Sequence, residues 1–357
     1  MDKNPIPDES SSNQKDLEID IRNKLIIHPS FNETIRELSR LKINLPEYGS
    51  EENWDFSMVQ FPQGNAKISN IEDIKPYKLN VNNGLKVIDI GYPIFAYDES
   101  FQIFSALEGE GYIFSHSIIV HGTEDYIPSV FITFYFFTQS EIISQKSKYI
   151  IKSDNFSTDS KILYSKDRTG FIYDTITDNS IILIDGPLIG GQMSHFTVEL
   201  NRKLLQRNII PIFIVKNSNS NLVTQNIEGL KGKYNSDMHW CYNLLKNGER
   251  TSFFRYVDQD NPNNGKIFCY VKPFDVSPQR IEVHIETFQK YKNLMSDLMD
   301  LIYYLLLVQG QYKNPQVRSI AIAEKFARES LKLFNVRALM RKIGLKPTIN
   351  ESRFGGV

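Results

Sequence analysis

Asp185 closes a run of four apolar residues, Ile181 to Ile184, and Gly186 and Pro187 follow it at once. The run reads as a buried strand and the Gly-Pro pair as a sharp turn, so the carboxylate stands at the C-terminal edge of a sheet. A carboxylate fixed there binds a cation, or serves as an ordinary turn aspartate. Asp89 carries a similar signature, ending the short apolar run of Val87 and Ile88 just before Gly91. If these two strands are neighbours, as the first and fourth are in ribonuclease H-like sheets, the two acids converge. Mg²⁺ and Mn²⁺ want octahedral oxygen coordination, and a pair of such ions clamps the attacking and leaving oxygens in phosphodiester hydrolysis. Glu324 offers a third carboxylate, beside a helical stripe of Ile320, Ala323, Ala327 and Leu331 whose alanines permit close approach to a sheet. Pairing with Lys325 or Arg328 is its plain alternative. Lys216 closes the strand IIPIFIVK, so its ammonium emerges at the same edge as Asp185, where it would neutralise a phosphate or remain simply solvated.

The elements that must position these groups follow from the pattern of apolar residues. Strands are expected at 85–91, 93–98, 111–122 and 129–138, the last aromatic enough to be central, and 140–179 is polar and weakly patterned. From 180 the order is strand, helix (192–206), strand (209–216), a crossover that makes the two strands parallel. A short helix at 236–247, paired strands at 267–274 and 280–286, and a helical C-terminal third complete a mixed sheet flanked by helices. The expected division is a disordered tail at 1–16, an N-terminal helical arm at 17–78, a main domain at 79–345 and a C-terminal tail at 346–357.

Composition excludes several classes. With 357 residues, 41% hydrophobic and 23% charged, the chain has ample length for a packed core. The net charge of −1 provides no global basic field, so contact with nucleic acid would need a local basic surface. Two cysteines, Cys241 and Cys269, rule out a disulfide scaffold and read as small buried residues of a reducing compartment. The first twenty residues show no secretory pattern and the apolar run 301–308 is too short for a membrane span, so the expected location is cytoplasmic.

The order IDGPLIGG, IFIVKNSNS, SDMHWCYNLLKNGERTSFF, FCYVKP, RIEVHIE and NPQVRSIAIAEKFAR resembles the NurA nuclease family over about residues 80–345. That resemblance implies an α/β fold with a ribonuclease H-like mixed sheet, a homodimer, Mn²⁺ (or Mg²⁺) dependence, and action on DNA in repair or antiphage defence with a HerA-type hexameric ATPase. It puts the first-strand acid on Asp89, the DGPL acid on Asp185 and the lysine on Lys216. Glu324 falls where the family carries a histidine after Ala323, and Asp167 is the nearest acid to a helical glutamate the family carries before the DGPL strand. Asp237 matches an aspartate opening a helix, as cap or orienting group, and Arg280 with Glu282 matches an Arg-x-Glu strand that would orient the site or contact phosphate. The alternative is a catalytically degenerate relative that docks on a HerA-type hexamer.

Overall fold

The computed structural model describes residues 29–41, 66–122, 127–191, 193–309, 315–333, 335–342 and 344–349. They fall into two units, divided between residues 47 and 48. The first contributes one described helix, α1 (Pro29–Leu38). The second opens with β1 (Ala66–Asn70), β2 (Tyr77–Lys78) and α2 (Val81–Asp89). Next come three long strands, β3 (Ile94–Ala106), β4 (Gly109–Val120) and β5 (Ser129–Thr138), then α3 (Glu141–Ser144), β6 (Ile150–Lys152) and α4 (Phe156–Thr175). The crossover is β7 (Ile181–Asp185), α5 (Ser194–Gln206) and β8 (Ile210–Val215). After α6 (Asp237–Leu244) the chain forms β9 (Glu249–Arg250), β10 (Phe254–Asp258), β11 (Gly265–Lys272) and β12 (Gln279–His284). It ends in α7 (Ile285–Lys290), α8 (Met295–Gln309), α9 (Arg318–Leu331) and α10 (Val336–Lys342).

One mixed sheet runs β1-β10-β11-β12-β8-β7-β3-β4-β5-β6, with β2 and β9 paired at its flank. Its centre, β5-β4-β3-β7-β8, has β4 antiparallel to its neighbours while β3, β7 and β8 run parallel. That is the ribonuclease H-like order, and the crossover 180–216 is parallel as its sequence requires. The βαβ strands are apolar on both sides because helices cover both faces. On one face Ala96, Leu183, Ile212 and Ile214 pack under α8 and α9; on the other Tyr97, Ile182, Ile184 and Phe213 pack under α4 and α5. Ala323 and Ala327, both fully buried, bring α9 down onto this sheet, as the small-residue stripe predicted. The run 301–308 lies within α8, where Leu301, Ile302, Leu305 and Leu306 are core and Val308 is exposed. Among the described residues no helix is long and apolar enough to cross a membrane.

Four sequence expectations change. Residues 85–91 are not a strand: the segment belongs to α2, which Asn80 starts by accepting a hydrogen bond from the Asn82 amide and Gly91 stops at φ +84°. Alternation in LKVIDIG looks like a strand, but Val87 is its one fully covered side chain, turned to the core under α8. The polar segment 140–179 contains the twenty-residue helix α4. Asn155 caps it, and Ser165 and Thr169 satisfy themselves on carbonyls one turn back, so a helix with little apolar patterning still forms. Finally, 66–78 contributes two sheet strands to what the sequence suggested was a helical arm, and β5 lies near the sheet edge rather than at its centre. The 1–16 tail, the 17–28 and 42–65 portions of the arm, and residues 350–357 lie outside the described residues.

Candidate active site

The parallel register pairs Tyr97 with Ile184, so the next residue along each strand, Asp98 and Asp185, stands side by side at the C-terminal end of β7. Strand alternation points both, with Lys216 just past β8, toward the α8 and α9 face, because Ala96, Leu183 and Ile214 two residues earlier are buried there. The alanine-seated helix α9 adds Glu324 from above. These four groups meet on the lysine: its Nζ lies 2.8 Å from Asp185 Oδ2, 3.5 Å from Glu324 Oε2 and 3.7 Å from Asp98 Oδ2. Glu324 also pairs with Arg328 through its other oxygen, the surface pairing that was its plain alternative.

Asp98 is the anomalous member. It is buried, its Oδ2 has no hydrogen-bond partner, and only Oδ1 is satisfied, by the Glu99 amide at 2.7 Å. Burial, reinforced by the charge of Asp185, pushes its carboxyl up to about 8, against the pull of Lys216. Burial also works against the charge of Lys216, but Asp185, Asp98 and Glu324 outweigh it and hold the ammonium above the ordinary lysine range. Three acidic side chains face Lys216 here, and only Glu324 has a further cation, Arg328, at the helix surface.

Behind this edge a buried ionic cluster fixes the two strand-end loops. Glu282, fully buried on β12, accepts the Leu188 amide of the Asp185-Gly-Pro-Leu turn at 2.9 Å, receives Lys266 Nζ at 2.6 Å and faces Arg280 Nε at 2.7 Å. Burial alone would raise its carboxyl, but Lys266 and Arg280 hold it below the usual range. Arg280 in turn donates to Ser218 and Ser220 Oγ, at 2.6 and 2.7 Å, in the loop that follows Lys216. The Arg-x-Glu pair is therefore not a surface ion pair. Asp237 is buried and accepts from the amides of Val223 and Thr224 and from Tyr270 Oη, tying down the same loop. Ser236, not Asp237, caps α6.

The structure thus gathers Asp185, Lys216 and Glu324, places Arg280, Glu282 and Asp237 as supports, and leaves two candidates out. Asp89 is exposed at the end of α2, away from the sheet edge, because its segment is helical. Asp167 accepts Thr133 Oγ1 at 2.8 Å and Tyr135 Oη at 2.7 Å, which ties it to β5. Asp98 stands where Asp89 was expected. Its signal was present, since it ends PIFAYD, but β3 continues through Glu99 and Ser100, so no turn marks it. Glu99, on the opposite face, is held by Tyr164 Oη and lies 4.0 Å from Arg168 Nε, both on α4.

The donor chemistry suits a hard divalent cation: carboxylate oxygens only, one of them buried without a partner. Among the described residues no three His, Cys, Asp or Glu side chains are already grouped to hold a metal; each of these carboxylates instead faces Lys216.

Residues 176–329 match the NurA domain family model. This segment is similar to the NurA domain. It spans β7 to the last turn of α9, so Asp185, Lys216, Asp237, Arg280, Glu282 and Glu324 lie inside it, and Asp98 precedes it. Among solved structures, the NurA nuclease from Sulfolobus solfataricus is 12% identical with a TM-score of 0.45, over 75% of this chain and 88% of that one. A NurA bound to dAMP and manganese is 9% identical with a TM-score of 0.36, over 68% and 88%. Endonuclease V from Ciona intestinalis, in complex with a DNA containing an inosine, is 14% identical with a TM-score of 0.36, over 68% and 86%. No match was found among curated proteins.

Proposed function

We propose that this protein is a metal-dependent DNA nuclease. The observation that carries the reading is the convergence of Asp98, Asp185 and Glu324 on Lys216 at the strand ends of a ribonuclease H-like sheet, all but Asp98 within the segment similar to the NurA domain. Asp98, Asp185 and Glu324 would hold Mn²⁺ or Mg²⁺, which when bound supplies an activated water and neutralises charge on the phosphodiester. Lys216 contributes a positive charge that can pair with a non-bridging phosphate oxygen once the carboxylates have another cation to share. Glu282 and Arg280 keep the loops bearing Asp185 and Lys216 in fixed register, which limits the reorganisation that catalysis would otherwise require. Similarity to the NurA domain further supports DNA end processing or antiphage defence as the setting, with a homodimer docked on a HerA-type hexameric ATPase in the cytoplasm.

The test is Asp185→Ala. Mn²⁺-stimulated cleavage of DNA is expected to fall to background while the melting profile stays close to that of the parent; unchanged cleavage would remove Asp185 from the mechanism.

A second reading is favoured by one observation: α4 offers no acid to the cluster, Asp167 being bound to β5 and Arg168 standing nearest Glu99. On that reading the protein is a catalytically degenerate assembly module of the same ATPase complex. Titration of the purified protein with Mn²⁺ separates the two, a metal site being expected of the nuclease and none of the module.

A further inference from the structure

Between α4 and α5, behind the Asp185 turn, lies a half-open cavity of about 160 Å³. Lys161, Ser165 and Arg168 line it from α4, Thr197 from α5, and Pro187 and Leu188 close it from the turn. No carboxylate is among its lining residues, so the two cations set its sign. Arg168 is largely buried, with 13% of its side chain exposed, yet its Nε and Nη2 donate to nothing. Glu99, its nearest acid, comes within 4.0 Å through an Oε2 that also lacks a hydrogen-bond partner, while Tyr164 engages its Oε1. The Nε side of the guanidinium thus faces Glu99, and the part of Arg168 that stays exposed lines the cavity.

We propose that this cavity binds a phosphate group of the nucleic-acid strand that the carboxylate site acts on. The inference rests on the nucleic-acid reading above and adds a subsite to it. Arg168 gives the cavity wall a fixed positive charge that attracts phosphate oxygens, and Lys161 adds a mobile point charge at the rim. The space accommodates a phosphate but not a nucleoside, which leaves the base and sugar outside. Pro187, two residues beyond Asp185, spans at most about 7 Å of chain from it, so a strand that passes from the carboxylates over the sheet edge brings a neighbouring phosphate to the cavity mouth. Phosphate in such a position fixes the strand without reading its bases.

The experiment measures binding of a short, 3′-labelled single-stranded DNA in chelator across a salt series, so that cleavage plays no part. Arg168→Gln and Lys161→Ala are each expected to weaken binding about tenfold and to reduce the salt slope by about 1. Inorganic phosphate should compete with the DNA on the parent protein and lose that competition on Arg168→Gln. Stronger binding of a 5′-phosphorylated strand than of its 5′-hydroxyl form assigns the group to the strand end, and equal binding with both variants impaired assigns it to an internal phosphate. Lys161 is exposed, so its variant stays informative even if Arg168→Gln folds poorly. Unchanged affinity and slope in Lys161→Ala, or phosphate competition that is indifferent to Arg168, overturns the subsite. Because the assay contains no metal, a protein that binds as expected but never cleaves would refute the nuclease reading and leave the subsite intact.

Discussion

Asp98 and Glu99 are adjacent on β3 and therefore point to opposite faces, one into the carboxylate cluster and the other toward α4. An acid buried beside Asp185 with an unpartnered oxygen costs the metal-free protein stability, as groups arranged for binding often do. Its raised pKa means that the folded protein holds a proton the unfolded chain releases near pH 4, so this cost grows as pH rises toward about 8. Asp98→Asn should accordingly raise the melting temperature in chelator at pH 8, by on the order of 1–2 kcal/mol of stability, and abolish any stabilisation by added Mn²⁺. A lower melting temperature would show that the charge is compensated. His116 gives the opposite dependence. It is buried against Tyr97 Oη, and burial, with the charge of Arg168, lowers its pKa to about 3. Between about pH 6.5 and 3 the unfolded chain carries a proton that the folded chain does not, so stability is full above this window and declines as pH falls through it. His116→Gln should flatten that decline by about 2 kcal/mol between pH 7 and 4 in urea titrations. Among the site residues, Asp185, Lys216 and Glu324 were legible because each ends an apolar strand or borders an alanine stripe. Asp98 was not, because its strand runs on without a turn, while Asp89 ends a helix whose apolar residues mimic alternation.

At the level of elements, the crossover from β7 to β8 and the helix α9 declare themselves through strong patterns, whereas α4 does not. Its polar sequence is held by a cap, by hydroxyls bonded to their own helix and by Ile172 and Tyr164 against the sheet, contacts that only the assembled fold supplies. The buried pair on β12 was visible as an Arg-x-Glu motif, but not its reach: Glu282 holds the Asp185 turn and Arg280 holds the loop after Lys216. Removing the carboxylate would strand two buried cations, which is more costly than replacing the whole cluster. Glu282→Gln is therefore expected to lose about 3–5 kcal/mol in denaturant titrations. At temperatures where it remains folded it should also cleave DNA more slowly, since Leu188 loses its strong acceptor. A loss well under 1 kcal/mol would show that the cluster does not fix the turn.

Across the whole molecule, the ribonuclease H-like centre is one part of a larger sheet, extended beyond β8 by antiparallel strands that bring Glu282 and Arg280 behind the site. A chain with net charge −1 still concentrates charge locally: acids at one edge of the sheet, and Lys161 and Arg168 around the corner on α4. The central claim is that the carboxylates now shared by Lys216 form a divalent-cation site. A crystal structure of the protein with Mn²⁺ tests it most directly. The expected result is an ion coordinated by Asp98 and Asp185 oxygens at about 2.1 Å, the distance for a small octahedral dication, with Glu324 in its shell. Absence of the ion, with Lys216 still 2.8 Å from Asp185, would contradict it.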